Sequence, residues 1–410
     1  MTDCLQRVGF WLLLVVALTG CGGETAVSPT TPPPPTAAAV NTAVTTLHAP
    51  IITINTPVAP EPWRVFDSPE YGVHLSQWWH VDDLLPRDLA LVNEMGFGWV
   101  KQEFPWRDIE GAAKGEYNWY RPDQIVRHAE EANLKLLVRL NSQPLWSVAE
   151  YIDEGRVTNS QPPADYQDFG DFCHALAARY PGQIAAYQVW NEPNLSREWG
   201  EQSPNPAEYT DLLRVCYEGI KTADPNAIVI SAGLAPTGTE PPIAMPDDQF
   251  VQGMYDAGAA AYFDVLGVNA PGYKAPPETP PEDGTNPALD LGGYRWNVFR
   301  HVEDIRAIMV ANGDANKQIA ILEMGWILQQ DYHEEYVWFG LTEAEQADYL
   351  VRAYQYAQQN WQPWIGLMTT LYIADPAWTP EENEQYWWSI VLPDGTPRMA
   401  YDALAEMEKE

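Results

Sequence analysis

Eight apolar runs rich in β-branched residues alternate with segments of helical periodicity from residue 63 to the end of the chain. Strands that alternate with helices form parallel sheets, because each helix returns the chain to the start of the next strand. Eight such strand–helix units make a closed barrel more economical than an open doubly wound sheet. The alternation therefore predicts an α/β fold, a (β/α)8 TIM barrel, for residues 63–410.

Two of the predicted helices begin at clear capping signals: Asn205 precedes Pro206 and Glu208, and Thr342 stands three residues before Glu345. The proline-rich segment 271–293, between the sixth strand and its helix, is predicted to be a loop over the active face. The predicted strands are Tyr71–Ser76, Trp99–Glu103, Leu134–Leu140, Ile184–Trp190, Ala227–Gly233, Phe263–Asn269, Gln318–Glu323 and Ile365–Tyr372. The predicted helices are Leu84–Glu94, Pro122–Ala132, Asp165–Arg179, Pro206–Thr222, Asp247–Ala261, Trp296–Ala311, Glu343–Asn360 and Ala400–Glu408.

The first 62 residues are not expected to belong to the barrel. Val8 to Leu18 is an apolar run too short to span a bilayer, which is typical of a signal peptide. It ends in Leu18-Thr19-Gly20-Cys21, which resembles the lipobox of bacterial lipoproteins, where the cysteine carries the lipid. We therefore expect a lipoprotein signal peptide over 1–20, lipidation of Cys21 and a Pro/Thr/Ala-rich disordered tether over 21–62. An ordinary secretory signal with an incidental cysteine is the alternative.

The composition excludes several classes of function. A net charge of −34 argues against nucleic acid, whose binding requires positive charge. Metal-binding His-Glu-x-x-His and Cys-x-x-Cys motifs, Gly-rich nucleotide loops and the Gly-x-Ser-x-Gly motif do not occur, so we expect no metal and no cofactor. Cys173 and Cys216 fall on different predicted helices and are expected to be buried free thiols. The 18 Trp and 21 Tyr residues suit a neutral sugar ligand.

Two glutamates follow buried strands: Glu192 ends the fourth predicted strand and Glu323 ends the seventh. A carboxylate at the end of a core strand cannot enter the core without a large desolvation penalty. In a parallel barrel, the carboxyl ends of the strands carry the catalytic groups. Two carboxylates from separate strands are what cleavage of a glycosidic bond requires. The alternative is that one or both glutamates are buried structural ion-pair partners.

The segment Trp190-Asn191-Glu192-Pro193 resembles the acid/base strand end of clan A glycoside hydrolases, which are retaining enzymes on this barrel. Leu322-Glu323-Met324-Gly325-Trp326 is similar to the nucleophile strand of the same clan, which includes cellulase-like and β-xylosidase-like families. The resemblance implies that Glu323 attacks the anomeric carbon and that Glu192 donates a proton to the leaving oxygen. It also implies that Asn191 donates to the sugar 2-hydroxyl; a strand-end asparagine is the alternative.

The chain departs from the clan pattern in two places. After the sixth strand, Asn269 stands where a histidine is frequent, and Tyr273, displaced from the usual position, is either the residue that orients the nucleophile or an ordinary loop tyrosine. The second strand in many members ends in arginine, whereas this chain has Lys101-Gln102-Glu103. Asn269, Tyr273 and Asn141, which ends the third strand, are candidate sugar contacts. The candidate tryptophans, each of which could equally serve packing, are Trp326 and Trp378, with Trp106, Trp146, Trp387 and Trp388.

We therefore expect an exported β-glycosidase, tethered by lipid at the outer face of a bacterial cell membrane and acting on a neutral β-glycan or oligosaccharide. The alternative is a non-catalytic carbohydrate-binding surface lipoprotein on the same barrel, because a fold does not guarantee an activity. The sugar, the choice between internal and terminal cleavage, and the oligomeric state stay open at this stage.

Overall fold

The computed structural model describes residues 65–148, 158 and 160–409. The signal peptide, the tether and Cys21 lie outside these residues. All eight predicted strands are present, with boundaries that differ from the prediction by a few residues. They are β1 (Glu70–Leu75), β2 (Trp99–Pro105), β3 (Lys135–Asn141), β4 (Ala186–Val189), β5 (Ile228–Ile230), β6 (Leu266–Pro271), β7 (Ile319–Gly325) and β8 (Ile365–Ile373).

The strands form one parallel sheet that closes on itself. Their order is β5-β4-β3-β2-β1-β8-β7-β6, and a parallel bridge between Ile230 and Val265 joins the two ends. Parallel neighbours with a helix after each strand are the architecture of a (β/α)8 barrel. The fold predicted from the alternation is confirmed.

Eight principal helices follow the strands, and the two with predicted caps begin where the prediction placed them. The Asn205 side chain accepts from the backbone of Ala207 and Glu208, and Thr342 and Glu345 form a capping box. Among the described residues, no helix is long and apolar enough to cross a membrane. The helices are α1 (Leu85–Glu94), α2 (Tyr120–Glu131), α3 (Tyr166–Arg179), α4 (Pro206–Ala223), α5 (Asp247–Asp256), α6 (Val302–Ala311), α7 (Glu343–Asn360) and α8 (Met399–Glu406).

The barrel interior changes from apolar to charged along β3. Alternate residues of a strand share one face, and the inward face of β3 reads Leu137, Arg139, Asn141. Leu137 belongs to the inner apolar cluster, which also contains Ala186, Ile230 and Leu322. Charged and polar side chains therefore collect at the carboxyl ends of the strands, above an apolar floor.

The expectation of free thiols is wrong, because Cys173 and Cys216 form a disulfide that joins α3 to α4. Both cysteines are fully buried, and their Cα atoms are 5.3 Å apart, a separation that suits a disulfide. The two helices can approach closely because Gly219 has no side chain, since a Cβ atom there would overlap the backbone oxygen of Gly170. Gly170 and Gly219 each stand three residues from a bonded cysteine, which is the signal in the sequence that the free-thiol expectation overlooked.

Candidate active site

Glu192 and Glu323 lie at the carboxyl ends of β4 and β7, with side chains 14% and 15% exposed. The register between β6 and β7 shifts by one residue at this point, since Val268 pairs with Ile321 while Asn269 pairs with Glu323. Such a bulge re-aims the side chains that follow it. Both carboxylates are thus held at the mouth of the barrel, mostly buried but with a small part of each side chain exposed to solvent.

The backbone around Glu192 adopts an uncommon conformation. Trp190 and Glu192 have φ angles of +72° and +40°. Residues other than glycine seldom adopt this left-handed region. Each such residue costs of order 1–3 kcal/mol and persists only where its surroundings hold it. Here the Trp190 indole is buried and donates to the carbonyl of Glu198, and the Glu192 amide donates to the carbonyl of Gly233 at 3.1 Å.

Two cations from neighbouring strands contact Glu323. Lys101 on β2 is fully buried and donates to Glu323 Oε1 at 3.1 Å and to the carbonyl of Leu322 at 2.9 Å. Arg139 on β3 donates to the same carboxylate oxygen at 3.3 Å. Burial lowers the pKa of Lys101 to about 8, although the charge of Glu323 acts in the opposite direction. His74 Nδ1 lies 4.0 Å from Glu323 Oε1, and burial with the nearby cations lowers the pKa of His74.

Arg139 also connects Glu323 to Asn191. Its Nη1 donates to Asn191 Oδ1 at 3.2 Å, and its Nη2 donates to Glu103 Oε2 at 2.8 Å. Although burial alone would raise the pKa of Glu103, Arg139 lowers it. Because the amide oxygen of Asn191 accepts from Arg139, its amide nitrogen is left to donate to a ligand. This orientation suits the proposed contact with a sugar hydroxyl.

The surroundings of Glu192 are different in kind. Asn269 Nδ2 donates to Glu192 Oε1 at 3.0 Å, and Arg197 Nη2 lies 3.6 Å from Glu192 Oε2. Burial and the charge of Glu323 raise the pKa of Glu192 to about 7, although Arg197 acts against them. Near neutral pH, part of the Glu192 population therefore still holds a proton that an ordinary glutamate would have lost.

The other predicted contacts divide between the site and the core. The Tyr273 hydroxyl donates to the carbonyl of Pro236 at 3.3 Å, which places it against the loop after β5. Asn141 is 6% exposed at the end of β3, and its Oδ1 has no hydrogen-bond partner among the described residues. Trp378 is half-buried and packs edge-on against Tyr372. Burial and the charge of Glu323 raise the pKa of Tyr372, so Trp378 stays near the candidate site.

The expectation that Trp326 forms a sugar platform is wrong. The indole is fully buried and donates to the carbonyl of Ala275 at 2.9 Å, and a Cβ atom at Gly272 would overlap its ring. Trp106 is likewise fully buried, and Trp388 is 8% exposed. Their place after a strand suggested a binding role, whereas each side chain turns back into the helix layer or a loop core.

Sequence reasoning missed Arg139, His74, Tyr372 and Arg197 and left the role of Lys101 open. The alternation along β3 could have identified Arg139, because Leu137, Arg139 and Asn141 are two residues apart and therefore share the inward face. The part of the chain that the structure describes contains no group of three His, Cys, Asp or Glu side chains arranged to hold a metal ion. The arrangement can donate a proton from Glu192 and present the carboxylate of Glu323 to the same ligand.

No protein-family model matches the chain, and a search of curated proteins found no match. Solved structures of clan A glycoside hydrolases do resemble it. A family 39 glycoside hydrolase from Bacteroides cellulosilyticus shares 18% identity with a TM-score of 0.59, over 82% of this chain and 63% of that one. A GH39 β-xylosidase from Caulobacter crescentus shares 18% with a TM-score of 0.57, over 85% and 72%. A GH5_18 protein from Streptomyces cattleya shares 15% with a TM-score of 0.60, over 83% and 80%.

This chain thus spans 63% of the length of the Bacteroides protein. At such identities the likeness establishes the barrel fold alone. The assignment of chemistry to this chain therefore depends on its own residues.

Proposed function

We propose that the chain is a retaining β-glycoside hydrolase in which Glu323 is the nucleophile and Glu192 is the acid/base. The observation that carries this proposal is the contrast between the two carboxyls. Glu323 touches two cations, Lys101 and Arg139, whereas the pKa of Glu192 is raised to about 7. Two carboxyls whose environments differ in this way suit the roles of nucleophile and proton donor.

In the first step, a carboxylate oxygen of Glu323 bonds to the anomeric carbon while the bond from that carbon to the leaving oxygen breaks. The leaving oxygen takes the proton of Glu192. In the second step, ionised Glu192 removes a proton from water, and the water oxygen displaces Glu323 from the anomeric carbon. Two displacements retain the configuration. Asn191, oriented by Arg139, donates to the 2-hydroxyl and stabilises the transition state.

The structural neighbours support a neutral β-linked substrate. They include a β-xylosidase and a protein solved in complex with GlcNAc. We therefore suggest aryl β-glycosides of xylose, glucose, mannose and GlcNAc as first substrates, with the product anomer followed by proton NMR. Hydrolysis with a β-configured first product supports the proposal, and an α-configured product contradicts it. Sugar binding without any turnover by the wild-type protein would favour the non-catalytic alternative.

We also propose that the protein is exported and lipid-anchored through Cys21. The Cys173–Cys216 disulfide supports export, because disulfides persist mainly outside the cytosol. Cys21→Ala should move the protein from the membrane fraction to the medium, and Cys4→Ala, a matched change within the signal, should not. Membrane retention of Cys21→Ala without incorporated lipid contradicts the anchor.

A further inference from the structure

Four aromatic side chains form a continuous strip in the order Tyr294, Trp296, Tyr273 and Trp338, and Tyr273 follows the end of β6. The Tyr273 ring lies 5.4 Å from Trp296 and 6.3 Å from Trp338, and the Tyr294 ring lies 5.3 Å from Trp296. Two of the three contacts are parallel, with interplanar angles of 16°. We call Tyr273, Tyr294, Trp296 and Trp338 the aromatic strip. The catalytic proposal uses none of these rings.

The strip lies on the same side of the barrel mouth as Glu192. The Tyr273 hydroxyl binds Pro236 in the loop after β5, and the neighbouring Ala235 amide donates to Asn194, two residues beyond Glu192. The same loop pairs with the chain after β4 again, where Ser196 donates to the carbonyl of Ile243 at 2.9 Å. These contacts connect the acid/base loop to the strip through one intervening loop.

Both ends of the strip are exposed to solvent. Tyr294 is 55% exposed and Trp338 is 39% exposed, although rings that served only packing would be expected to be covered. Apolar rings with a few polar groups nearby are the usual lining of a site for small neutral ligands. A pyranose ring has an apolar face of matching size, and the exposed rings of Tyr294 and Trp338, held in place by their aromatic neighbours, can each present a flat surface to it.

We propose that the aromatic strip binds the sugar units on the leaving-group side of the scissile bond, so that the substrate is a chain extending at least two units beyond that bond. This inference relies on the proposed function, because Glu192 protonates the leaving oxygen and the strip lies on its side. It makes an oligosaccharide or polysaccharide, rather than a glycoside with a small aglycone, the substrate class.

The test compares Tyr294→Ala and Trp338→Ala with wild type on two substrates of one sugar. A β-glycosyl fluoride has a leaving group without a ring and cannot touch the strip, whereas a hexasaccharide can. Each substitution should leave kcat/KM unchanged for the fluoride and lower it about two- to tenfold for the hexasaccharide. Tyr294→Phe and Trp338→Phe keep a ring and should lose little. Leu289→Ala removes another exposed apolar side chain from the same insertion and should lose nothing.

A binding measurement separates this proposal from the catalytic one. Calorimetric titration of Glu323→Ala with xylohexaose, cellohexaose and mannohexaose measures affinity without turnover. Weaker binding of the preferred hexasaccharide after Tyr294→Ala or Trp338→Ala supports the strip even if the wild type hydrolyses nothing. Equal affinities, or equal losses on the fluoride and the hexasaccharide, overturn it. Unchanged melting temperatures verify that the variants are folded.

Discussion

Asn269 donates a hydrogen bond from Nδ2 to Glu192 Oε1 at 3.0 Å. An amide nitrogen can only donate, so Oε1 must accept, and the proton of the neutral acid is placed on Oε2. In the proposed mechanism, Oε2, which lies 3.6 Å from Arg197 Nη2, is therefore the oxygen that gives its proton to the leaving group. Asn269, which is predicted to bind substrate, thus also contacts the proposed acid.

The pH profile should respond to Asn269. Its hydrogen bond and the Arg197 guanidinium both lower the pKa of Glu192, which burial and Glu323 raise to about 7. The proton is needed for the first step, so kcat/KM should fall as the pH rises through about 7 in the wild type. Asn269→Ala and Arg197→Gln should each move this alkaline limb to higher pH. Asn141→Ala is the control. If the alkaline limb of kcat/KM stays at the same pH in both Asn269→Ala and Arg197→Gln, these two residues do not set the pKa of Glu192.

The two glutamates should fail in different ways. Glu192→Ala should keep the first step on activated aryl glycosides and stall before water attacks, and azide should restore turnover with a β-glycosyl azide product. Glu323→Ala has no nucleophile, so azide should attack from the opposite face and give the α-glycosyl azide. Each variant should lose at least about 10²–10⁴-fold in rate without azide. The same anomer from both variants, identified by proton NMR, contradicts the assignment.

Arg139 should influence the 2-hydroxyl contact as well as the nucleophile. Arg139→Leu frees Asn191 and removes one of two cations from Glu323, so kcat/KM should fall by about 10²-fold or more. The loss should be smaller on a 2-deoxy glycoside, which has no hydroxyl for Asn191 to bind. Glu103→Gln leaves both contacts of Arg139 Nη1 intact and is the matched control. If kcat/KM falls equally on the two substrates, Arg139 acts through Glu323 alone and not through the 2-hydroxyl contact of Asn191.

The disulfide should stabilise the barrel without affecting turnover. Cys173 and Cys216 are 43 residues apart in sequence, and closing a loop of that size contributes about 4 kcal/mol in the chain-entropy account. For a domain of this length, Cys173→Ala/Cys216→Ala should lower the melting temperature by about 5 °C, and a reductant should do the same to the wild type. kcat/KM at 25 °C should not change. An unaltered melting temperature would show that the bond contributes little.

A buried histidine should make stability fall at alkaline pH. His301 Nε2 lies 3.0 Å from Asp247 and its Nδ1 lies 3.1 Å from Asp304. Burial alone would lower the pKa of His301, but the two aspartates raise it to about 10. A raised folded pKa adds stability that is complete below about pH 6.5, the ordinary value, and is lost as the pH rises through about 10. The difference in melting temperature between wild type and His301→Gln should therefore shrink from pH 6.5 to pH 10.

The sequence pattern was sufficient for the barrel because each strand and helix has its own local signal. The strand Ile365–Ile373 and the helix Glu343–Asn360 were recognisable from apolar periodicity and a capping box alone. The positions of Glu192 and Glu323 followed from the same pattern, since both end an apolar run. Local sequence determines which strand a side chain ends, and the barrel brings those ends together.

What could not be predicted depends on long-range geometry. Lys101, Arg139 and Glu323 come from three strands, and only the closed barrel brings their charges into contact. The side chain of Trp326 follows the proposed nucleophile in sequence but turns beneath the β6 end, a direction that spacing does not show. The disulfide required knowing that α3 and α4 approach closely at Gly170 and Gly219.

The positive φ angles at Trp190 and Glu192 indicate which residue of this site would be replaced first if selection for activity ended. Left-handed backbone favours glycine and asparagine, so either residue at position 192 would relax the chain and remove a mostly buried carboxyl at once. Loss of the acid would then raise the stability of the barrel while it ends the chemistry. A lineage released from selection for turnover is expected to lose this glutamate early, keep the folded barrel, and persist as a binder of the same sugars.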